Sequence, residues 1–596
     1  MEGSLSNEIG IRVEPRVLDL NRLLRASLVW GRAHVTQLIC AGVLLVMFGQ
    51  LLAVISRKSV TVDELVLIPA GYYHVVTTDF SLIREHPPLC KFLAGLPILF
   101  IQPDEPIPDQ KDREMPRIDF EWKYAMSFWG DNLTRADSIA FWARVPMIML
   151  SLGLGLVVFM FTRDLFGDWA AVFAVALFSL EPTVLAHARV VQTDIPATFG
   201  FLLTAFSLRR YLRDRTMGLA IALGVSASIA ALAKFSMVIV VPILAVVFLV
   251  LIWTERERRR AILLHALVCG SVILFIINAA YFFNHNPISE EDSQWIITSF
   301  PRAHAWVALS VRLFRFLLPT DYIIGVYWQL NHTNNGHPSS LLGMYGRTGW
   351  WYYYQVAFAL KTTLPFLLLS ITSLFWAFYK LVRKTEFRLL FVLIPFTLYT
   401  VLLMMSPIAI GIRYYLPAFP FLFALGGGML DFLRRRANGR LASGSMLVVV
   451  IAFGWMSIEA LRAFPNHMPY MNQLASSRPH WWYLSDSNVE WGDDLKELAS
   501  YLHAKGETRV LTMALGDFLT PSFYGIQRFN LLGPPVHPTP KYTALGASFL
   551  NGSTVLEVIN GKVVSEEERV NWFDSFRRRT PEAVIGNSIY VYRTDN

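Results

Sequence analysis

The chain has 596 residues, of which 53 are Lys or Arg and 45 are Asp or Glu. Charged residues make up 16%, against roughly 25% in a soluble domain, and the mean hydropathy is +0.41. These values exclude an ordinary soluble protein and a disordered chain. The net charge of +8 does not indicate a nucleic-acid partner, because the basic residues form short clusters beside apolar runs.

Apolar runs of membrane-spanning length alternate with basic clusters up to about residue 460. The predicted spans are 33–55, 141–162, 169–184, 196–208, 217–233, 237–253, 261–283, 350–379, 388–405, 413–432 and 441–460. Basic clusters at 209–215, 256–260, 380–388 and 434–440 mark cytoplasmic loops. Because eleven is odd, the N-terminus is predicted in the cytoplasm and the C-terminus outside. The sequence predicts a multi-pass membrane protein, of the plasma or inner membrane if the source is bacterial.

Two regions are predicted outside the membrane. The first is a loop at about 56–140, which belongs to a membrane domain covering residues 1–461. The second is residues 462–596, where the composition becomes soluble. A helical pattern at 493–503, a strand-like run at 509–515 and a Gly586-Asn587 hairpin turn predict a small α/β domain there.

Four polar clusters lie where the predicted spans meet the outside, at 61–64, 84–91, 181–196 and 411–420. The first also fits a solvated helix start, the second a rigid proline turn, and the fourth an anchor to lipid headgroups. In the third, several ionisable groups share a short return between two spans, where they need partners or a function. The clusters indicate a site at the outer face of the membrane.

These clusters also carry a resemblance to a known family. The motifs are Asp63-Glu64, AGYYH (70–74), Asp79-Phe80, EHPPL with Lys91 (85–91), EPTVLAHARVVQTDIP (181–196), Gly336-His337, LLGMYGRTGWWYYYQVAFALKTTLP (341–365), GIRYYLPAFPF (411–421) and SDSNVEWGDDLKELASYL (485–502). In this order they resemble the protein O-mannosyltransferase-like enzymes, glycosyltransferase family 39 of the GT-C membrane superfamily. A more distant resemblance is to the bacterial aminoarabinose transferases. The resemblance implies a polytopic α-helical membrane protein with the GT-C fold, about eleven transmembrane helices and a small extracytoplasmic α/β C-terminal domain.

The resemblance implies a glycosyltransferase that moves a hexose, mannose by the family, from a polyprenyl-phosphate donor to an acceptor hydroxyl on the extracytoplasmic side. In the family an acidic residue of the first outside loop acts on the acceptor, which assigns Asp63 as catalytic with Glu64 in support. Asp194 is the second catalytic candidate, because an oxocarbenium-like transition state favours nearby carboxylates. The departing phosphate needs fixed positive charge or strong donors. The candidates for it are His86, Lys91, Arg144 and Arg413.

Other assignments stay open at this stage. Secondary site candidates are Arg189, His337, Arg347 and Lys361, of which the last three also fit membrane-interface anchoring. Glu85 lies where the aminoarabinose transferases have a metal-contacting glutamate, so a divalent metal is left open and no cofactor is required. The acceptor, whether glycan, lipid or protein, also stays open, because 284–349 is too short for the luminal repeats of many eukaryotic relatives. The rival function is a transporter or flippase of lipid-linked sugars, although the predicted spans hold almost no charge.

Overall fold

The computed structural model describes residues 34–107, 115, 117–301, 304–436, 440–555, 558–559 and 562–594. Helices occupy most of the chain up to residue 463. Their bounds are Val35–Ile55, Glu64–Thr77, Pro88–Ile98, Arg117–Asp131, Ala136–Phe166, Asp168–Leu180, Pro182–His187, Asp194–Asp214, Met217–Ala233, Val240–Thr254, Arg259–Ala280, Glu290–Ser299, His304–Phe314, Thr320–Asn335, Tyr353–Lys361, Leu364–Val382, Leu390–Met404, Phe419–Arg436 and Arg440–Ala463. A short hairpin of β1 (Ser339–Leu341) and β2 (Met344–Gly346) interrupts them.

Eight helical segments of the described residues are long and apolar enough to cross a membrane. They are Val35–Ile55, Leu133–Phe166, Phe235–Thr254, Arg256–Ala280, Leu364–Val382, Phe387–Met404, Ile412–Arg436 and Met446–Ala463. The other three predicted spans coincide with helices Asp168–Leu180, Asp194–Asp214 and Met217–Ala233, which are shorter or more polar. The predicted class of polytopic helical membrane protein is confirmed.

Two predicted spans differ from the structure because of proline. The run 350–379 forms two helices, Tyr353–Lys361 and Leu364–Val382, with extended backbone at Thr362 and Thr363. Pro365 has no N–H to continue the first helix and fits the first turn of the second. In the same way the run 169–184 ends as a helix at Leu180, and Pro182 begins a separate short helix. The break at Pro182 lies in the predicted polar cluster 181–196, whereas the break at Thr362 and Thr363 lies inside the predicted span 350–379.

The first outside loop contains a close helix pair. Helices Glu64–Thr77 and Pro88–Ile98 cross where Gly71 meets the carbonyl of Lys91 and Gly95 meets the carbonyl of Gly71. A Cβ at either glycine would overlap the opposing backbone, so glycine is what permits this approach. The pair fixes the N-terminal end of helix Glu64–Thr77, where Asp63 lies.

Beyond residue 463 the chain forms a small α/β unit, as predicted. Its sheet contains β3 (Arg509–Met513), β4 (Gln527–Asn530), β5 (Tyr542–Gly546), β8 (Ala583–Ile585) and β9 (Ile589–Arg593) in the order β4-β3-β5-β9-β8. Strands β3, β4 and β5 are parallel, and β9 is antiparallel to both of its neighbours. Helix Leu495–Ala504 confirms the predicted helix, and Gly586 and Asn587 turn the chain between β8 and β9 with positive φ. The strands β6 (Val558–Ile559) and β7 (Lys562–Val563) form a separate ribbon.

The α/β unit is joined to the membrane part by an extended contact at residues 485–494. Backbone N–H groups of Ser59 and Val62 donate to the carbonyls of Asp493 and Trp491, at 3.1 and 2.9 Å. The buried ammonium of Lys58 contacts Asp494 and lies 2.8 Å from Glu497. Residues at the start of the α/β unit therefore pack directly against the predicted first outside loop.

Candidate active site

Asp63 is the N-cap of helix Glu64–Thr77 and lies at the centre of a group of charged residues. Its Oδ2 accepts hydrogen bonds from Gln192 and from Nη1 of Arg413, the latter at 3.2 Å. About a quarter of its side chain (26%) stays exposed, so the carboxylate faces an open space. Residues predicted separately in the first and fourth polar clusters therefore meet.

Asp194 occupies the other side of Arg413. It lies in the first turn of helix Asp194–Asp214 and forms an ion pair with Lys234, whose Nζ is 2.6 Å from Oδ1. Arg413 Nη1 is 3.6 Å from Asp194 Oδ2. The core of the site thus alternates two carboxylates with two cations.

The two carboxylates have opposite electrostatic environments. Burial raises the pKa of Asp63 above its ordinary value; the charge of Arg413 opposes this effect, and the negative charges of Asp486 and Asp194 add to it. Burial acts on Asp194 in the same direction, but Lys234 and Arg413 outweigh it and hold the pKa of Asp194 below its ordinary value. Carboxylates whose pKa values are pushed apart in one site are suited to different roles. Asp63 is the one suited to accept a proton, and Asp194 the one that stays ionised.

Aromatic rings hold the two cations in place. The guanidinium of Arg413 lies 4.4 Å from the ring centroid of Trp491, and the ammonium of Lys234 lies 3.6 Å from that of Tyr414. Arg413 is buried, and its Nε has no hydrogen-bond partner among the described residues. A buried guanidinium with a free donor is suited to an anionic ligand.

Two histidines lie close to this charged group. Burial, followed by the positive charges of Lys91, Lys234 and Arg413, lowers the pKa of His86 to about 3. Burial also lowers the pKa of His187 to about 3. Both imidazoles are therefore neutral at physiological pH and can offer a hydrogen bond but not a positive charge.

Glu64 and Arg144 form a buried ion pair with each other. Both side chains are fully buried, and Arg144 Nε lies 2.8 Å from Glu64 Oε1. Glu64 also accepts from the backbone N–H groups of Thr61 and Val191, and Arg144 donates to the carbonyls of Lys58 and Ser59. The pair links the predicted first outside loop to helix Ala136–Phe166. Because it is fully buried, it does not reach the open space that Asp63 faces.

Three other predicted cations are also buried with internal partners. Lys91 donates to the carbonyls of Leu82 and Ile83, at 3.2 and 2.6 Å. Lys361 donates to the carbonyls of Met468 and Asn488 at 2.5 Å each, and Arg189 pairs with Asp493. Their charges hold loops together. Of the predicted phosphate ligands, Arg413 lies beside Asp63, and His86 lies close to the same charged group.

The remaining candidates lie outside the charged group. His337 is half-buried and Arg347 is exposed, and the backbone N–H of His337 donates to the Arg347 carbonyl at 2.9 Å. Glu85 is half-buried, and its charge acts on the buried Lys91. No group of three or more metal-ligating side chains occurs within the described ranges. No step below depends on a metal.

Four residues of the site were not predicted from the sequence: Gln192, Lys234, Asp486 and Trp491. Lys234 was recognised only as the turn between two apolar runs, although a lone lysine at the outer end of two spans is itself a signal. Asp486 and Trp491 belong to a motif that carried the family resemblance but had no predicted role.

An apolar groove begins below the charged group. It has a volume of about 470 Å³ and is lined by helices Asp194–Asp214, Val240–Thr254 and Leu390–Met404. The lining residues Phe201, Ala205, Leu208 and Leu212 follow Asp194 on one helix face, and the first of them is roughly 10 Å along the axis from Asp194. The groove therefore begins roughly 10 Å from Asp194 and extends towards the predicted cytoplasmic side.

Comparison with known proteins supports the resemblance seen in the sequence. The profile of the family described as dolichyl-phosphate-mannose-protein mannosyltransferase matches residues 79–291. The resemblance to this family is confirmed for these residues. They include His86, Asp194 and Lys234. No curated protein matches the chain.

Solved structures that the chain matches include ArnT from Cupriavidus metallidurans and the oligosaccharyltransferase AglB from Archaeoglobus fulgidus. ArnT from Cupriavidus metallidurans bound to undecaprenyl phosphate has 13% identity and a TM-score of 0.45, with 86% of this chain and 93% of that chain covered. The oligosaccharyltransferase AglB from Archaeoglobus fulgidus, in complex with an inhibitory peptide and a dolichol-phosphate, has 13% identity and a TM-score of 0.43. That match covers 72% of this chain and 56% of that chain.

Proposed function

We propose that the protein is a membrane glycosyltransferase that moves a sugar from a polyprenyl-phosphate donor to an acceptor hydroxyl at the outer face of the membrane. The observation that carries the proposal is the position of Asp63 beside Arg413, above an apolar groove. A lipid-linked sugar phosphate has three parts: an isoprenoid chain, a phosphate and a sugar. The site offers a matching environment for each part.

We assign the phosphate to Arg413, with Lys234 as a second positive charge on the other side of Asp194. Both cations lie at the outer ends of apolar segments, and both are held by aromatic rings and by Asp194. A guanidinium can donate two parallel hydrogen bonds to a phosphate, and a fixed positive charge stabilises the phosphate as it leaves. His86, which is neutral, supplies a further hydrogen bond.

The isoprenoid chain fits the apolar groove. Its lining on helix Asp194–Asp214 extends from Phe201 to Leu212, which is roughly 16 Å of helix. Burying hydrocarbon there contributes about 25 cal/mol per Å² of apolar surface. A lipid whose phosphate lies at Arg413 therefore has an apolar path for its tail.

The reaction we propose is a displacement at the anomeric carbon. The acceptor oxygen attacks this carbon and its proton passes to Asp63, while the bond between the anomeric carbon and the phosphate oxygen breaks. The electron pair of that bond leaves with the polyprenyl phosphate, which Arg413 and Lys234 stabilise. General-base assistance of this kind contributes roughly 10² to 10⁴ in rate. Attack opposite to the leaving group inverts the configuration of the sugar.

Asp194 and Glu64 have supporting roles in this scheme. Asp194 fixes the two cations and supplies negative charge near a developing oxocarbenium ion. Glu64 is a positioning residue, because its carboxylate is fully engaged by Arg144 and backbone donors. Mannose as the sugar rests on the family match, and the acceptor can be a glycan, a lipid or a protein.

The test uses the full chain purified in detergent or in liposomes, with polyprenyl-phosphate mannose carrying labelled sugar. Release of polyprenyl phosphate together with labelled mannose on an acceptor or on water supports the transferase. Movement of the intact lipid across the liposome membrane without bond cleavage supports the flippase instead. A protein that does neither with any of a panel of sugar-phosphate lipids contradicts the proposal.

A further inference from the structure

The motif SDSNVEWGDDLKELASYL at 485–502 has no role in the scheme above, although part of it reaches the site. Ser487 packs on Gly411, and the backbone N–H of Ile412 donates to Asn488 Oδ1 at 2.9 Å. Both contacts lie within two residues of Arg413. From the other side, Trp491 packs on the guanidinium of Arg413. The first residues of the motif therefore form a wall of the site that comes from the C-terminal unit.

Asp486 has an unusual backbone in this wall. Its φ of 55° lies in the left-handed region, which is uncommon outside glycine and is tolerated best by Asp and Asn. Three hydrogen bonds to the backbone of Asp486 hold this conformation. The Asp486 N–H donates to Ser548 Oγ at 3.0 Å, and the N–H groups of Val489 and Glu490 donate to its carbonyl at 2.9 and 3.0 Å. A backbone that is held in this region is a recurring feature of binding sites.

The wall is also tied to the sheet of the C-terminal unit. The buried carboxylate of Glu490 accepts from the backbone N–H groups of Leu515 and Ser548, at 2.7 and 2.8 Å. Asn488 in turn donates to Tyr353 Oη at 2.8 Å. The position of Asp486 is therefore fixed relative to both parts of the chain before any ligand binds.

The carboxylate of Asp486 retains a free oxygen. Oδ1 accepts the N–H of Ser487 at 2.5 Å, and no hydrogen bond or ion pair from the described part of the chain reaches Oδ2. The side chain is half-buried, and its negative charge acts on both Asp63 and Arg413. Asp194 Oδ2 also has no hydrogen-bond partner among the described residues, but Asp194 is buried and paired with Lys234 and Arg413, whereas Asp486 is half-buried and can be reached by a ligand.

We infer that Asp486 binds a hydroxyl group of the donor sugar through Oδ2, so that the C-terminal unit selects the sugar. This inference rests on the proposed function. The sugar of such a donor is bonded directly to the phosphate, and the phosphate is assigned to Arg413. A side chain near Arg413 and Asp63, such as that of Asp486, is therefore expected to contact the sugar ring and not a distant part of the acceptor. Carboxylates are strong acceptors for hydroxyl donors, and a free oxygen in a fixed position favours one orientation of the ring.

The experiment compares two lipids on the detergent-purified full chain. The dissociation constants of polyprenyl phosphate and of polyprenyl-phosphate mannose are measured for wild type, Asp486→Asn and Asp486→Gly. Asn and Gly both tolerate a positive φ, so these variants remove the carboxylate and keep the backbone. Asp574→Asn, an exposed aspartate of the same unit that pairs with Arg577 and Arg578, is the matched control.

We expect wild type to bind the sugar-bearing lipid more tightly than the bare lipid phosphate. In both Asp486 variants this preference should fall by about tenfold or more, because a hydrogen bond to a charged group is lost. Affinity for the bare lipid phosphate should not fall in either variant, because that lipid carries no hydroxyl for Oδ2 to bind and because both variants remove a negative charge near Arg413. The control should match wild type for both lipids.

Two results would overturn the inference. The first is an unchanged preference in both Asp486 variants. The second is an equal loss of affinity for both lipids, which would make Asp486 a support for Arg413. If wild type binds neither lipid, the proposed function itself fails, and this outcome is distinct from the other two.

Discussion

Asp63 Oδ2 and Arg413 Nη1 lie 3.2 Å apart although 350 residues separate them in the sequence. The pair joins the N-terminal end of a helix in the predicted first outside loop to the predicted outer end of a late apolar segment. In the proposed reaction it brings the proton acceptor next to the group that receives the departing phosphate. The attacking acceptor hydroxyl and the departing phosphate are then bound by neighbouring side chains.

The first prediction concerns Asp63. Asp63→Asn keeps the volume and the hydrogen bonds from Gln192 and Arg413, but Asn accepts no proton at neutral pH. Turnover should fall by about 10² or more while expression and binding of polyprenyl phosphate stay near wild type. If Asp63 served only as a helix cap, Asn would replace it without loss. Near-normal turnover would therefore remove Asp63 from the mechanism.

Glu64 provides a contrasting variant on the next residue. Glu64→Gln leaves the buried charge of Arg144 without its partner, and breaking a buried ion pair costs about 3–5 kcal/mol. The yield and the thermal stability of the folded protein should fall. Turnover per folded molecule should fall less than in Asp63→Asn. The opposite ranking of turnover would exchange the roles of the two residues.

The second prediction concerns Arg413. Arg413→Ala should raise the KM for the donor by about tenfold or more, because a charged hydrogen bond to phosphate is lost. Arg413→Lys should recover only part of this, since an ammonium cannot form two parallel hydrogen bonds. Arg347, an exposed arginine of the outer region, gives the control Arg347→Ala. Unchanged donor KM in Arg413→Ala would favour the headgroup-anchor alternative.

Much of the fold could be predicted from the sequence because long apolar runs and basic clusters define helices and loops through residues that are close in the sequence. A helix occupies each predicted span, and the C-terminal helix and hairpin lie where they were expected. The helix breaks before Pro365 and Pro182 were missed, although proline signals such breaks. Each proline lies within a long apolar run, and each run was therefore predicted as one continuous span.

The site could be predicted only in part, for a different physical reason. Asp63, Asp194 and Arg413 were expected, and the structure brings them together. The sequence cannot say which charges pair internally, because Glu64 with Arg144 and Arg189 with Asp493 meet only through tertiary contacts. Asp486 was missed for the same reason, since its role depends on where the C-terminal unit packs.

The third prediction tests the apolar groove. Ala205 lines the groove, whereas Leu249 on a neighbouring helix is 65% exposed towards the predicted lipid region. Ala205→Trp should fill the groove and raise the KM for long polyprenyl donors by about tenfold, the effect of losing a few buried methylene groups. Donors with a ten-carbon tail should be affected little. Leu249→Trp is the size-matched control, and equal effects of the two variants would place the tail elsewhere.

The fourth prediction concerns topology. The native cysteines Cys40, Cys90 and Cys269 are all buried, so a new cysteine can be labelled against a low background. Lys541→Cys, at a side chain that is 71% exposed in the C-terminal unit, should react with a membrane-impermeant thiol reagent on intact cells. Arg383→Cys in a predicted cytoplasmic loop should react only after lysis. The reverse pattern would invert the predicted orientation and move the whole site to the cytoplasmic face.

The last prediction uses the charge of Asp486 to identify the group that titrates. Asp63 acts as a base only when it is deprotonated, so activity should fall as the pH falls through its pKa. That pKa is raised by burial and further by the negative charges of Asp486 and Asp194, while Arg413 lowers it. Asp486→Asn removes one of the charges that raise it. The pKa of Asp63 should then decrease, and the acidic limb of the kcat profile should move to lower pH.

The size of this shift has a physical limit and a control. Asp63 and Asp486 both face solvent in part, so screening keeps their interaction modest and the shift is expected to be small. Asp574→Asn, in the same unit but at an exposed surface, should leave the limb unchanged. Measuring kcat at saturating donor separates this effect from any loss of sugar binding, which appears in KM. A limb that stays in place in Asp486→Asn would mean that a different group titrates, and Asp63 would lose its assignment as the base.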